Sequence, residues 1–241
     1  MITFDELEWK FRELHQLITM HLGDESIHVI TLPSPNQPKN ELYFNKLVSW
    51  GYAVLYESFP ILYKRLSGQV RQLDSEAFKR IEYSKKVIHA LRTIQCHNMP
   101  EKDPGNIKKR NLVDIWYAKN APESIDKWEN ACNALSTMLL DILSELRNSF
   151  NKINSDPESM EQFISNITYA IKRHWEAHSF DEYIMSIAES LGILGMDIVS
   201  YRNSKIQEWR VLADFFNDRD HARSCIERKI KMELLMSFGS N

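Results

Sequence analysis

The sequence is short of the residues on which several common functional sites depend. Only 7 of its 241 residues are glycine. Neither GxxxxGK[ST] nor GxGxxG occurs, which excludes the glycine-rich loops that hold nucleotide phosphates. The three cysteines are odd in number and far apart, so we expect neither a disulfide framework nor a zinc knuckle, and a cytoplasmic protein fits this usage. No uncharged apolar run of about 18 residues and no signal-peptide stretch occurs, so we expect no membrane association.

The sequence does contain helical periodicity along almost its whole length. Hydrophobic residues make up 43% of the chain, enough to bury a sizeable core. We therefore predict an all-α bundle of about eight to ten helices. The exception is IHVITL at residues 27–32, which would form one short strand before a segment with three prolines. We accordingly separate an N-terminal helix and proline-containing connection, residues 1–39, from a helical domain over residues 40–241 that includes a C-terminal helical extension.

Local signals predict where several helices begin and end. Thr3 and Glu6 have the spacing of a capping box, and Pro60 should interrupt a very apolar helix over residues 40–59. Such two-sided hydrophobicity indicates a central helix or one covered by a dimer partner. Residues 98–110 read as a loop, RHWEAH at 173–178 as part of a continuous helix, and residues 181–203, 204–216 and 218–238 as further helices. Tryptophans such as Trp50, Trp128 and Trp209 are expected in the core, as is Cys96.

Positive charge is concentrated in one part of the chain. Residues 79–110 contain nine Lys or Arg against three Asp or Glu, although the whole chain has a net charge of −3. An excess of this kind favours a polyanionic partner such as RNA, while a solvated helix face is the alternative interpretation. The candidate RNA-binding residues in this segment are Lys85, Lys86, Lys108, Lys109 and Arg110.

Arg92 and His97 lie within the basic segment at the end of a predicted helix. Positions five apart on a continuous helix point about 140° away from each other. Asn98 and Pro100 are expected to end the helix near Cys96, Asn98 through a left-handed conformation, and His97 could then turn back toward Arg92. An imidazole can transfer protons near neutral pH, and a guanidinium can bind two phosphate oxygens. These are the needs of RNA cleavage by the neighbouring 2′-hydroxyl, which requires no metal ion.

An Arg and a His separated by four residues at a helix end, after the apolar stretch LVSWGYAVLYESF, resemble the HEPN superfamily. The resemblance covers roughly residues 40–153. It implies an all-α, metal-independent endoribonuclease without cofactors, a toxin or antiviral-defence effector, with Arg92 and His97 as the catalytic pair. It also implies a homodimer and allows a separate inhibitor protein or antitoxin. The chain departs from the family pattern at Thr93, where active members usually carry Asn, Asp or His.

Other interpretations compete with this one. A second pair with the same spacing is Arg173 and His178, and the two pairs are about what chance would give. His174 and His178, four apart on the same predicted helix, have a spacing that can ligate zinc, although no third ligand is evident. His89 lies on the helix face of Arg92 and either joins the site or is half-buried. A catalytically inactive helical module that regulates or binds a partner is the alternative function.

Overall fold

The computed structural model describes residues 2–121 and 126–238. Within them lie ten α-helices and no β-strand, which confirms the predicted fold class and number of helices. A 3₁₀ turn follows the first helix at Asp24–Ser26, and a π-helical segment, Ala53–Ser58, follows the second. The helices are α1 (Phe4–Leu22), α2 (Glu41–Tyr52), α3 (Pro60–Leu73), α4 (Ser75–Cys96), α5 (Pro104–Asn120), α6 (Lys127–Asn154), α7 (Pro157–Arg173), α8 (Ala177–Ser190), α9 (Ile198–Ala213) and α10 (Arg219–Phe238).

The chain forms two compact units, residues 1–167 and residues 168–241. The first contains α1 to α6 and most of α7, and the second contains α8 to α10. Residues 1–39, which the sequence analysis sets apart, lie in the first unit. Among the residues that the structure describes, no helix combines the length and the apolar character that a membrane span requires.

The first unit is built around α6, which contacts each of the helices α1 to α5. Its apolar residues recur at intervals of three and four, so they share one face and are buried together. Each fully buried Leu or Phe side chain contributes roughly 1.5–3 kcal/mol. Gly51 allows α2 to approach closely, because a Cβ atom there would lie 2.9 Å from Cδ2 of Leu139. The residues of this face include Leu135, Leu139, Ile142, Leu146 and Phe150, all of them buried.

The N-terminal segment combines a confirmed prediction with a wrong one. The Thr3 amide donates to Glu6 Oε2 at 2.7 Å and the Glu6 amide donates to Thr3 Oγ1 at 3.2 Å, which is the predicted capping box. The predicted strand at residues 27–32 is wrong, since these residues are irregular. The His28 amide donates to the Ser58 carbonyl at 2.8 Å and Ser58 Oγ donates to the His28 carbonyl at 2.6 Å. With no partner strand in the described residues, the segment bonds instead to the end of the π-helical segment.

The apolar stretch over residues 40–59 is covered by the first unit itself. α2 widens into the π-helical segment, and Pro60 then starts α3, as predicted. Leu42 is exposed, but the other large apolar side chains of the stretch are buried or half-buried. The two-sided hydrophobicity thus reflects a central position, and little of it remains for a dimer interface. Trp50 is buried as predicted, whereas Trp128 is half-buried.

α4 ends where the sequence predicts but by a different conformation. Its first residue follows Asp74, whose Oδ1 accepts hydrogen bonds from the amides of Glu76 and Ala77. At the other end, His97 takes an extended conformation with φ −125° and ψ 142°. The left-handed turn expected at Asn98 is wrong, because no described residue other than glycine has a positive φ. Cys96 is exposed rather than buried, since it lies on the outer side of the last turn.

α5 begins at Pro104, seven residues earlier in the chain than the predicted loop over residues 98–110 would allow. Asp103 Oδ1 accepts a hydrogen bond from the Asn106 amide at 2.8 Å, and Pro104 occupies the first helical position. Both are favourable at a helix start. Residues 98–103 therefore form the connection, and the basic residues 108–110 lie on a helix.

The predicted continuous helix through RHWEAH is wrong. α7 ends at Arg173 and α8 begins at Ala177. Between them Trp175 is buried and stacks on Phe180 with ring centroids 5.9 Å apart, and Arg210 Nη2 donates to the Trp175 carbonyl at 2.9 Å. These tertiary contacts outweigh the local helical preference of the segment.

This break removes the geometry of the zinc hypothesis. His174 lies outside both helices and His178 lies within α8, so the two do not share one helix face. His174 Nε2 is instead 2.9 Å from Glu176 Oε1. In the described residues no three His, Cys, Asp or Glu side chains are grouped so that they could hold a metal ion.

The second unit packs α8, α9 and α10 around Trp209, which is fully buried as predicted. The predicted helix over residues 181–203 is wrong, because Gly192 and Gly195 adopt positive φ values of 70° and 74° between α8 and α9. Only glycine takes that conformation at little cost. Asp218 caps the start of α10, since its Oδ1 accepts a hydrogen bond from the His221 amide at 2.8 Å.

Candidate functional site

One face of α4 in the first unit carries three basic side chains. Lys85, His89 and Arg92 are spaced four and three residues apart, which places them on the same side of the helix. They lie against Tyr52 and Tyr56, at the end of α2 and in the π-helical segment. With Lys109 of α5, the four basic residues and these two tyrosines form what we call the cationic cluster.

The tyrosines form the floor of the cationic cluster. Their rings stack with centroids 4.8 Å apart and planes inclined by 14°. The imidazole of His89 lies 6.0 Å from the Tyr52 ring and 5.3 Å from the Tyr56 ring. Arg92 Cζ is 5.9 Å from the Tyr52 centroid, and Lys85 Nζ is 4.7 Å from that of Tyr56. Contacts of cations with aromatic faces are favourable, yet they leave N–H donors for other acceptors.

In the cationic cluster, burial and neighbouring positive charges disfavour the protonated forms of the basic side chains. Burial lowers the pKa of His89, and the positive charges of Lys109 and Lys85 lower it further. Burial also lowers the pKa of Lys85, against the opposing effect of Glu82. An anion bound here would relieve both effects, because it would stabilise the protonated forms.

Arg92 has an unmet hydrogen-bonding requirement within the cationic cluster. Its Nη1 atom is buried and has no hydrogen-bond partner among the described residues. A guanidinium stays charged at any physiological pH, so it cannot avoid this cost by losing a proton. A buried donor without an acceptor costs roughly 1–3 kcal/mol. An oxygen of a bound anion would be a suitable acceptor.

His97, the predicted partner of Arg92, lies outside the cationic cluster as we define it. It is exposed at the end of α4, where its amide donates to the Thr93 carbonyl at 3.1 Å. Its imidazole makes no hydrogen bond and no ring contact with the described residues. Thr93 Oγ1 donates to the His89 carbonyl at 2.7 Å, so this hydroxyl already uses its only proton within the helix.

The five predicted RNA-binding residues have different environments. Lys86 and Lys108 are exposed. Lys85 and Lys109 are half-buried, and their positive charges lower the pKa of His89. Arg110 is engaged by the protein, since its Nη2 donates to the Met99 carbonyl at 2.6 Å. This hydrogen bond holds the connection between α4 and α5 against α5.

The alternative pair, Arg173 and His178, is only partly described. The side chain of Arg173 lies outside the described part of the structure, and His178 is exposed near the start of α8. The two residues belong to different helices, so the angle of about 140° between positions five apart on one helix does not apply to them.

The sequence indicates Lys85, Arg92 and Lys109 as candidate site residues and leaves two interpretations for His89. It does not indicate the two tyrosines. Tyr52 and Tyr56 are four residues apart in an apolar stretch and read as core residues. No sequence signal singles them out, because their role depends on how α2 packs against α4.

The chain matches no family model, and no curated protein or solved structure shows significant similarity to it.

Proposed function

We propose that this protein is a metal-independent endoribonuclease, in which Arg92 binds the scissile phosphate and His97 transfers protons. The buried Nη1 atom of Arg92, which lacks a partner in the described residues, carries this proposal. It belongs to a half-buried guanidinium on an aromatic floor, among other cations. Such a site favours an anion that offers oxygen acceptors, and a phosphate diester is one.

RNA is the phosphate diester that suits this chain best. It supplies its own nucleophile in the 2′-hydroxyl, so the protein needs only proton transfer and stabilisation of the phosphorane. The basic side chains at positions 85, 86, 108, 109 and 110 would attract the polyanion. By the HEPN resemblance, the protein would act as a toxin or antiviral-defence effector, as a homodimer, and under a separate inhibitor or antitoxin.

A catalytically inactive RNA-binding or regulatory module is the second candidate. It is favoured by the exposure of His97, whose imidazole has no orienting partner among the described residues. Such a module would use the cationic cluster to hold a phosphate without cutting it. The two candidates differ in whether bound RNA is broken.

Purified protein incubated with RNA in the presence of EDTA tests the proposal. We expect cleavage that leaves a 2′,3′-cyclic phosphate and a 5′-hydroxyl, because the nucleophile belongs to the RNA. Arg92→Gln, which removes the positive charge but keeps an N–H donor, should abolish it. Intact RNA in a titration that nevertheless shows saturable binding would favour the inactive module.

A further inference from the structure

We infer that His89 is the general base that takes the proton from the 2′-hydroxyl of the RNA, with His97 acting as the acid. This inference rests on the proposed ribonuclease function. It assigns the two proton transfers to two histidines of one protomer, and it makes the aromatic floor part of the reaction site.

The position of His89 relative to Arg92 is the first support. Side chains three residues apart on a helix are neighbours, with Cβ atoms about 5–6 Å apart. Both side chains also rest on the ring of Tyr52, His89 at 6.0 Å and Arg92 at 5.9 Å from its centroid. A phosphate held by Arg92 therefore presents the adjoining ribose to His89.

The orientation of His89 is the second support. Its imidazole lies against both tyrosine rings, whereas the imidazole of His97 is exposed. A general base must be held in place to act, and a half-buried ring against two stacked aromatic side chains is held better than an exposed one.

The charges around His89 are the third support. Lys85 on α4 and Lys109 on α5 face it, and Tyr52 and Tyr56 lie beneath it. The negative charge of Glu57 raises the pKa of Tyr52, and that of Glu82 raises the pKa of both Lys85 and Tyr56. Burial and the two lysines lower the pKa of His89, which favours the unprotonated ring that a base requires.

The reaction step balances without any further reactant. An unprotonated ring nitrogen of His89 takes the 2′-hydroxyl proton while the 2′-oxygen bonds to phosphorus. The bond from phosphorus to the 5′-oxygen breaks, and that oxygen takes a proton from the imidazolium of His97. The products are a 2′,3′-cyclic phosphate and a 5′-hydroxyl. His89 then returns its proton to water and His97 regains one.

Two substrates separate the base from the acid. RNA has a leaving oxygen that needs a proton, whereas a uridine 3′-phosphodiester of nitrophenol has a leaving group that does not. His97→Ala should lose about 10²–10⁴-fold in rate on RNA but cut the nitrophenyl ester nearly as well as wild type. His89→Gln should lose a comparable factor on both substrates. Added imidazole should restore part of the activity of His89→Ala, which a misfolded variant would not regain.

The results distinguish the inference from the function beneath it. If wild type cuts neither substrate, the ribonuclease proposal and this inference both fail. If wild type cuts RNA and His89→Gln cuts both substrates at the wild-type rate, only the inference is overturned. It is also overturned if His97→Ala fails on both substrates while His89→Gln fails on RNA alone, because the roles are then reversed.

The pH profile gives an independent readout. The base must be unprotonated, so kcat/KM should rise with pH through the pKa of His89, which burial and the two lysines lower. Lys109→Gln removes a positive charge that lowers this pKa, so the acidic limb should move to higher pH. Lys79→Gln, an exposed change on α4 where His89 lies, should leave the limb in place. An acidic limb that Lys109→Gln does not move would contradict the assignment.

Discussion

The chain contains two segments in which an arginine and a histidine are separated by four residues, and the structure gives them different surroundings. Arg92 lies inside α4 and His97 directly follows the last residue of that helix, within the first unit. Arg173 ends α7 and His178 lies in α8, within the second unit. The spacing is the same, but only the first segment follows a continuous helix whose face carries further cations.

The two regions also differ in what their cations contact. Near the second segment, Arg202 Nη1 lies 2.6 Å from Asp181 Oδ2 and Arg210 donates to the Trp175 carbonyl. The imidazole of His174 contacts the carboxylate of Glu176. In the cationic cluster, by contrast, the buried Nη1 of Arg92 lacks an acceptor in the described residues.

This comparison shows that spacing alone does not distinguish a site from a chance match. An arginine whose donors are used by the protein stabilises the fold, whereas an unpaired buried donor has a cost that an oxygen of a ligand would remove. We therefore favour the first segment because of the surroundings of Arg92, and not because of the spacing between the arginine and the histidine.

Replacing each histidine gives the largest expected effect. His97→Ala should reduce RNA cleavage by about 10²–10⁴-fold while leaving RNA binding nearly unchanged, because it removes a proton-transfer group. His178→Ala is the matched control and should cut normally. Single-turnover cleavage and filter binding measure the two quantities. Normal cleavage by His97→Ala with an inactive His178→Ala would reverse the comparison.

Replacing an arginine by lysine in each region should give the next largest effect. Arg92→Lys keeps the charge but loses the planar arrangement of donors, and we expect roughly a 10²-fold slower cleavage. Arg202→Lys, which changes an arginine paired with Asp181, should leave the cleavage rate unaltered. Equal cleavage by wild type and Arg92→Lys would argue against a role of Arg92 in holding the phosphate.

The same two positions should differ in their effect on stability. Arg202→Gln leaves Asp181 without its ion pair and should lower the free energy of unfolding by about 1–2 kcal/mol, since the pair is mostly buried. Arg92→Gln removes an unsatisfied buried donor and should stay within about 1 kcal/mol of wild type. Urea denaturation measures both. Inorganic phosphate should raise the melting temperature of wild type but not of Arg92→Gln.

The smallest effects should separate two neighbours on α5. Lys108→Gln should weaken RNA binding and reduce the slope of binding against salt by about 0.7–0.9, the value for one phosphate contact. Arg110→Gln loses its hydrogen bond to the Met99 carbonyl, so it should cost about 1 kcal/mol of stability. Titrations at several salt concentrations and thermal denaturation test this. If Lys108→Gln changes neither the affinity nor the slope, RNA does not contact that face.

Several parts of the structure could be predicted because their signals are local. The capping box of Thr3 and Glu6, the cap at Asp74 and the inward register of α6 all depend on residues within one or two turns. The start of α5 also has a local signal in Asp103-Pro104, the same pair of residues that precedes and begins α7 at Asp156-Pro157. The basic segment and Arg92 could likewise be found from charge and spacing.

By itself the sequence determined the all-α class, most of the helices and the clustering of positive charge, because periodicity, caps and net charge depend only on neighbouring residues. Only the tertiary structure decided that the helix is interrupted at Trp175 and that Tyr52 and Tyr56 lie beneath His89. It also decided which arginines have acceptors. These features depend on contacts between residues far apart in the chain, and a buried side chain meets its partners only after the helices have packed.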